Sequence, residues 1–335
     1  MLRDVVNFRD GALDSTAGFE FAEDDAKARL MDAVFDQFTT LMQLAKFYYA
    51  LDRKLERGVD LATVDPQAVI REEGLETPEP MSPELLSHGP DILDKLPAYL
   101  EGTAYPHMPD GIALEDGAGQ GLFVDGFSRH FKHLVVLDIS MVFLLLARKI
   151  AQERGRTNVT LVCGSAERLP FADEAFDFIQ SNNVIEHISD QPAMIAEAYR
   201  TLAPTGLFFV RSPNRFSLYR EPHFHIPAFG FIPKRIREKI IWKTQNRDQA
   251  NVALRSLGEL RKLIDAKFKC AVYSFIPATL RKTSLGGGWR KAVVTGLSLP
   301  GVGKAVDLVI NKFALGLMPY HTVICWKQPP AHRSV

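Results

Sequence analysis

Three cysteines, Cys163, Cys270 and Cys325, are all the thiol this chain of 335 residues holds, and they lie far apart. None has the spacing of a metal or redox pair, and apolar, strand-like surroundings make all three read as buried free thiols. An excess of charge of one sign is missing too. Forty Lys and Arg balance forty Asp and Glu, so no overall field favours a nucleic acid. Long apolar runs are absent as well: the longest uncharged stretches, 292–303 and 313–326, each contain proline and fall short of the roughly 20 residues of a spanning helix. Met1-Leu-Arg-Asp-Val lacks the apolar centre of a signal peptide. With 46% hydrophobic residues, the expectation is a cytoplasmic α/β enzyme or binding protein, one large domain with additions.

The apolar period changes near Gly111. From 26 to 57, Leu30, Met31, Val34, Phe35, Phe38, Leu41, Met42 and Ala45 keep three- and four-residue steps, the pattern of one long amphipathic helix. Its aromatics, Phe47, Tyr48 and Tyr49 among them, suit either packing on the main domain or a wall over an organic substrate. Residues 58–90 are rich in proline and charge and read as a linker with short helical pieces; 92–100 reads as another helix. A helical extension over 1–102 is therefore expected ahead of a main domain over 103–335. In that domain, strands at 112–115, 133–137, 159–163, 176–180 and 207–211 alternate with helices at 122–129, 140–154 and 192–202. A helix at 256–267, boxed by Ser256 and Glu259, and strands at 271–275 and 321–326 complete the pattern. It predicts an α/β, doubly wound, mostly parallel sheet of seven strands, interrupted by insertions at 212–255 and 279–318.

The first strand leads into Glu115-Asp-Gly-Ala-Gly-Gln-Gly. Glycine lets a ligand lie against the main chain, and the following helix start adds a positive field. A dinucleotide fingerprint needs its third glycine one residue later than Gly121, and Glu115 suits a cationic amine better than a phosphate. A phosphate loop is excluded, since no Lys-Ser or Lys-Thr follows. Asp138 ends the second strand, where an acid accepts hydrogen bonds from both hydroxyls of a ribose or else caps the next helix.

Beyond the third strand stands Gly164-Ser-Ala-Glu-Arg-Leu-Pro-Phe, and then Phe176-Asp-Phe-Ile-Gln-Ser-Asn-Asn-Val-Ile-Glu-His-Ile. On these residues, in this order, the chain resembles the class I S-adenosylmethionine-dependent methyltransferases, in the broad small-molecule group with Leu-Pro-Phe and Glu-His signatures. The likeness covers 111–213 and, more weakly, 256–275 and the final strand. It implies a Rossmann-like methyltransferase fold and S-adenosyl-L-methionine as cofactor. It also implies that Gly117, Gly119 and Gly121 let the methionine part and ribose lie on the main chain, with Glu115 near the methionine ammonium. Asp138 would bind the ribose and Ile139 would pack on the adenine. Ser165, Ala166 and Glu167 would border the ring, Ser165 standing where family members often have Asp. Asn182 and Asn183 would meet the methionine amino group where the substrate pocket begins.

Methyl transfer is an in-line displacement at carbon, to which positioning contributes much, and a hydroxyl acceptor also needs a general base. His187 is one candidate, unless Glu186 and His187 only shape their loop. His223 and His225, flanking Phe224, fall on one side of an extended segment. They are a base, a metal pair with Glu221, or part of a loop pinned by Pro222 and Pro227; no metal is assigned. Asn214, Arg215 and Tyr219 are candidates for substrate contact. Lys234-Arg-Ile-Arg-Glu-Lys-Ile-Ile-Trp-Lys reads as a solvated helix or as a contact with an anionic substrate or membrane surface, to which a helix at 303–315 could add. The expected activity is O-methylation of a small organic acceptor, such as a natural-product or sugar intermediate. Nitrogen or carbon acceptors, a lipid or quinone at a membrane, and a non-catalytic S-adenosylmethionine-binding subunit are the alternatives. No nucleic-acid partner is expected, and the oligomeric state is not legible.

Overall fold

The structure, a computed structural model, describes residues 5–7, 22–78, 110–218, 220, 226–245, 252–268, 270–274 and 320–327. The helices expected at 92–100 and 303–315, the insertion at 279–318, and Tyr219, Glu221, His223 and His225 lie outside the described residues. Two compact units divide the chain: Met1–Asp94 with His107–Ile179, and Lys95–Pro106 with Gln180–Val335.

The first unit holds β1 (Val5–Asn7), β2 (Ile112–Asp116), β3 (His133–Asp138), β4 (Val159–Cys163) and the start of β5 (Phe176–Asn182), in the order β1-β4-β3-β2-β5. The pairs of β4 with β1, of β3 with β4 and of β2 with β3 are all parallel. Leu134, Val136, Leu137, Ala113 and Leu114 are buried in succession, as in strands covered on both faces. The helices α4 (Val124–His130) and α5 (Met141–Glu153) make the crossovers. The chain steps outward from β2 to β3 and β4 and then returns to the other flank of β2. Strand order therefore reverses at β2, where open α/β sheets bind ligands.

The single long helix expected over 26–57 is two helices, α1 (Ala22–Val34) and α2 (Leu41–Glu56). Thr40 restarts the chain with a capping box, its hydroxyl accepting from Gln43 N and its own amide donating to the Gln43 side chain. The interrupted turn leaves carbonyls open, and Lys149 Nζ of α5 donates to Phe35 O at 2.7 Å and Phe38 O at 2.8 Å. Leu41 N donates to Glu153 Oε2 at 2.8 Å, so both helices are fastened to α5. The segment expected as a linker is partly packed: a 3-10 turn (Leu61–Thr63) and α3 (Pro66–Glu72) bury Leu61, Val69 and Ile70. Asp65 caps α3 and Pro66 opens it, so Val64-Asp-Pro is a helix start.

The second unit continues with α6 (Gln191–Thr201), β6 (Leu202–Pro213), α7 (Lys234–Gln245), α8 (Leu257–Asp265), β7 (Cys270–Ser274) and β8 (Tyr320–Trp326). Antiparallel β8 lies between β6 and β7. Here β6 is longer than expected, following α6 without a loop, while the capping box of Ser256 and Glu259 forms as read. Phe268 packs its ring against Tyr199 and Phe208 at the centre of this unit. The strand count differs from seven: the described residues hold eight, the addition being the three-residue β1 beside β4. The mostly parallel, Rossmann-like α/β architecture is as the sequence implied.

Candidate active site

The carboxyl end of β2 carries Glu115 and Asp116, each 1% exposed. Neither Glu115 oxygen has a hydrogen-bond partner among the described residues, and neither has Asp116 Oδ1. Burial pushes the Glu115 carboxyl well above the usual carboxylate range, and the neighbouring Asp138 charge adds to it. The same two causes raise Asp116 from 3.8 to about 7.

The glycine turn that follows is folded back on β3, Gly117 N and Ala118 N both donating to Leu137 O at 2.8 and 3.1 Å. Two of its glycines do different work. Gly121 (φ +75°) lies so close to α5 that a Cβ would stand 2.9 Å from the Ala147 Cα, so it is required by packing. Gly119 (φ +48°) faces open space, with nothing within 4 Å of a Cβ: it is the open face of the cradle. Its amide donates to Asp138 Oδ2 at 3.0 Å, while Ser140 N donates to Asp138 Oδ1 at 2.8 Å. Asp138 is thus both the loop tie and the helix-start acceptor. Next to it Ile139 is 43% exposed, an apolar face for a flat ring.

Beyond β4, Ser165 Oγ accepts from Glu167 N at 3.2 Å and Ala166 is buried, so the Ser165-Ala-Glu turn is locally fixed. From the N-terminal helices, Tyr49 reaches the glycine turn: Gln120 Nε2 donates to its hydroxyl at 2.7 Å. The Tyr49 ring leans on Tyr48, which meets Phe143 of α5 edge-on. The helix expected either to pack on the main domain or to wall a pocket does pack, Phe47 being fully buried, and it leaves Tyr49 exposed at the glycine turn.

In the second unit, β5 ends at Asn182, and Asn183 takes a left-handed conformation (φ 58°) with its amide on Arg211 O at 2.8 Å. The side-chain oxygens of Gln180, Ser181, Asn182 and Asn183 are buried without a hydrogen-bond partner among the described residues, a run of polar groups at a carboxyl strand end. In the following 3-10 turn (Ile185–His187), Glu186 is buried and His187 exposed. Ser212 Oγ donates to Glu186 Oε2 at 3.2 Å, and Ala253 N to Glu186 O at 2.7 Å. Glu186 therefore ties the loop together, the structural half of the reading made for this pair.

Asn214 and Arg215 are engaged in the same way. Asn214 Oδ1 accepts from Phe216 N, and the Arg215 guanidinium donates twice to Leu254 O and once to Glu259. Among the described residues no group of three or more His, Cys, Asp or Glu could hold a metal.

The sequence reading missed Asp116, Gln180, Ser181 and His321. His321 on β8 faces Ser212 in register and is 2% exposed, and burial pushes its imidazole down to about 4. Asp116 lay in plain view inside the glycine motif, an acid at a buried strand position; His321 had no local signal.

The residues fit the cofactor that the motifs imply. S-adenosylmethionine carries an ammonium and a sulfonium for an orphaned buried acid, a diol for Asp138, and a flat base for Ile139.

Comparison with known proteins agrees. A family profile described as "Methyltransferase domain" matches residues 114–210. The biotin biosynthesis bifunctional protein BioHC of Cellvibrio japonicus is 33% identical over 122 residues, 36% of this chain and 22% of that protein. The mitochondrial 2-methoxy-6-polyprenyl-1,4-benzoquinol methylase of Leishmania donovani is 34% identical over 105 residues, 30% and 35% of the two chains. The ubiquinone biosynthesis O-methyltransferase of Parvibaculum lavamentivorans is 34% identical over 116 residues, 35% and 46%. The match thus spans less than half the length of each of these relatives. Residues 114–210 match a methyltransferase domain, and the likeness to these relatives supports S-adenosylmethionine-dependent methyl transfer of the class I type.

Proposed function

We propose that the chain transfers a methyl group from S-adenosylmethionine to a small organic acceptor, at oxygen. The observation that carries this is the pairing of an orphaned, fully buried Glu115 with an open main-chain cradle at Gly119. An unpartnered buried acid is costly unless a ligand supplies the opposite charge, and the donor brings two positive groups. When bound, it supplies a methyl on a sulfonium, whose sulfur takes the bond electrons as the carbon passes to the acceptor oxygen. Glu115 holds the ammonium, Asp138 accepts from the ribose hydroxyls, and Ile139 with Ala166 covers the base. Asn182 and Asn183 receive the methionine end, and Tyr49 closes the turn over Gln120. The acceptor proton goes to an imidazole, with His187, His223 and His225 as the candidates. Residues 1–102 and the insertions at 212–255 and 279–318 build the acceptor side of the domain at 103–335. One relative is by name an O-methyltransferase of ubiquinone biosynthesis, which supports an oxygen acceptor, while the benzoquinol methylase supports a small organic acceptor without naming its atom.

Titration calorimetry with S-adenosylhomocysteine and with NAD tests the donor assignment. Binding of the first and not the second is expected, and preference for NAD overturns it. Labelled donor offered with a panel of phenols, amines and sugars tests the acceptor atom, and transfer to amines alone overturns O-methylation.

A further inference from the structure

The turn and helix that follow residue 226 in the second unit are held firmly on one side and bare on the other. Gly230 presses on the chain at Arg215, where a Cβ would come within 2.0 Å of Arg215 O. Phe229 is buried with Leu254, and the Arg237 guanidinium lies 4.7 Å from the centre of the Phe229 ring. That inward side of α7 leaves Arg235, Ile236, Glu238 and Lys239 exposed. Phe231 is 53% and Ile236 50% exposed, and Leu218 is 56% exposed. Phe216, two residues from Leu218, packs its ring at a tilt on Phe231, centroids 5.2 Å apart, which brings Phe231 beside the segment that carries Leu218.

Charge at this place is lopsided although the whole chain is balanced. Between 226 and 245 stand Lys234, Arg235, Arg237, Lys239 and Lys243 against the single acid Glu238. Neither Arg235 nor Lys239 forms an ion pair among the described residues. A short helix with protruding apolar side chains and flanking cations fits the boundary of a lipid bilayer, where apolar groups enter and cations stay at the phosphates. No helix among the described residues is long and apolar enough to cross a membrane, which leaves lying on the surface.

We propose that Leu218, Phe231 and Ile236, with Arg235 and Lys239, form a docking surface for an anionic membrane. Its occupant is a lipid bilayer carrying negative headgroups. The proposal stands whether or not the acceptor is the oxygen compound proposed above.

Co-sedimentation of the full chain with phosphatidylcholine vesicles, with and without phosphatidylglycerol, tests it. Binding to the anionic vesicles that weakens with added salt is expected. Each cation near the surface contributes about fivefold in partitioning, so Arg235→Gln with Lys239→Gln lowers binding about 25-fold. Phe231→Ser with Ile236→Ser lowers it as well. All variants keep affinity for S-adenosylhomocysteine, which shows that they are folded. Equal binding to neutral vesicles, equal binding by the variants, or binding to an acidic protein but not to vesicles overturns the proposal. Failure of the donor assignment is read separately, from S-adenosylhomocysteine binding by the parent protein.

Discussion

Glu115 concentrates the conflict between stability and function in one side chain. Both of its oxygens are buried without a partner, so the protein without donor carries a group that would rather be solvated or neutral. In the proposed donor site the same carboxylate is the anchor for an ammonium. Glu115→Gln keeps the shape and removes the charge, and its two effects should therefore run in opposite directions. The urea midpoint of the donor-free variant should hold or rise. Affinity for S-adenosylhomocysteine should fall about ten- to hundredfold, since a hydrogen bond to a charged group is worth about 1.5–3 kcal/mol. A loss of stability with unchanged affinity would show that Glu115 serves the fold alone. Asn214 and Arg215 are the contrasting case, for they resemble substrate contacts in sequence. Asn214 accepts locally from Phe216, while Arg215, bonded to Leu254 and Glu259, ties two chain segments together.

At the scale of elements, the glycine turn and the N-terminal helices show why local patterns reach only part of the way. The alternation of strands and helices from Gly111 was legible because each buried strand and each amphipathic crossover writes its own period. The turn was legible because its glycines and acids are neighbours in sequence. What the glycines are for was not, because that depends on α5, more than twenty residues on. Gly121→Ala combines a left-handed backbone with a clash against Ala147, and unfolding by urea should register about 2–4 kcal/mol. Gly119→Ala meets open space and should cost about 1–2 kcal/mol, yet its methyl enters the cradle and should weaken donor binding measured by calorimetry. Equal destabilisation by the two would remove the distinction. The break between α1 and α2 was hidden for a similar reason. Apolar steps continue through Phe35 and Phe38, and the carbonyls there are held by Lys149, more than a hundred residues away. Thr40 with Gln43 was the readable sign. His321 had no such sign, because its burial comes from strands paired at long range.

Over the whole molecule the buried acids and the buried imidazole oppose each other in pH. The folded Asp116 carboxyl titrates at about 7 rather than 3.8. Between these values the native state keeps a proton that the unfolded chain has released, so stability falls as pH rises. The displacement corresponds to on the order of 4 kcal/mol, and Glu115 acts in the same direction. His321, held at about 4 rather than 6.5, stays neutral while the unfolded chain gains a proton, so its contribution is lost as pH falls through that window. Urea unfolding of the donor-free protein from pH 5 to 8 should separate them. Asp116→Asn should gain stability at pH 8 relative to pH 5, and His321→Gln should do the reverse. Parallel profiles for both variants and the parent would show that neither proton is linked to folding. A different consequence follows from the two amides, of Gly119 and Ser140, that converge on Asp138. Because the carboxylate that shapes the loop is the one proposed to take the ribose, exchanging it to admit an altered sugar would also reshape the seat. If the proposed donor site holds, re-engineering it for synthetic methyl donors should therefore begin at Ile139, whose exposed side chain can be resized, and leave the acid in place.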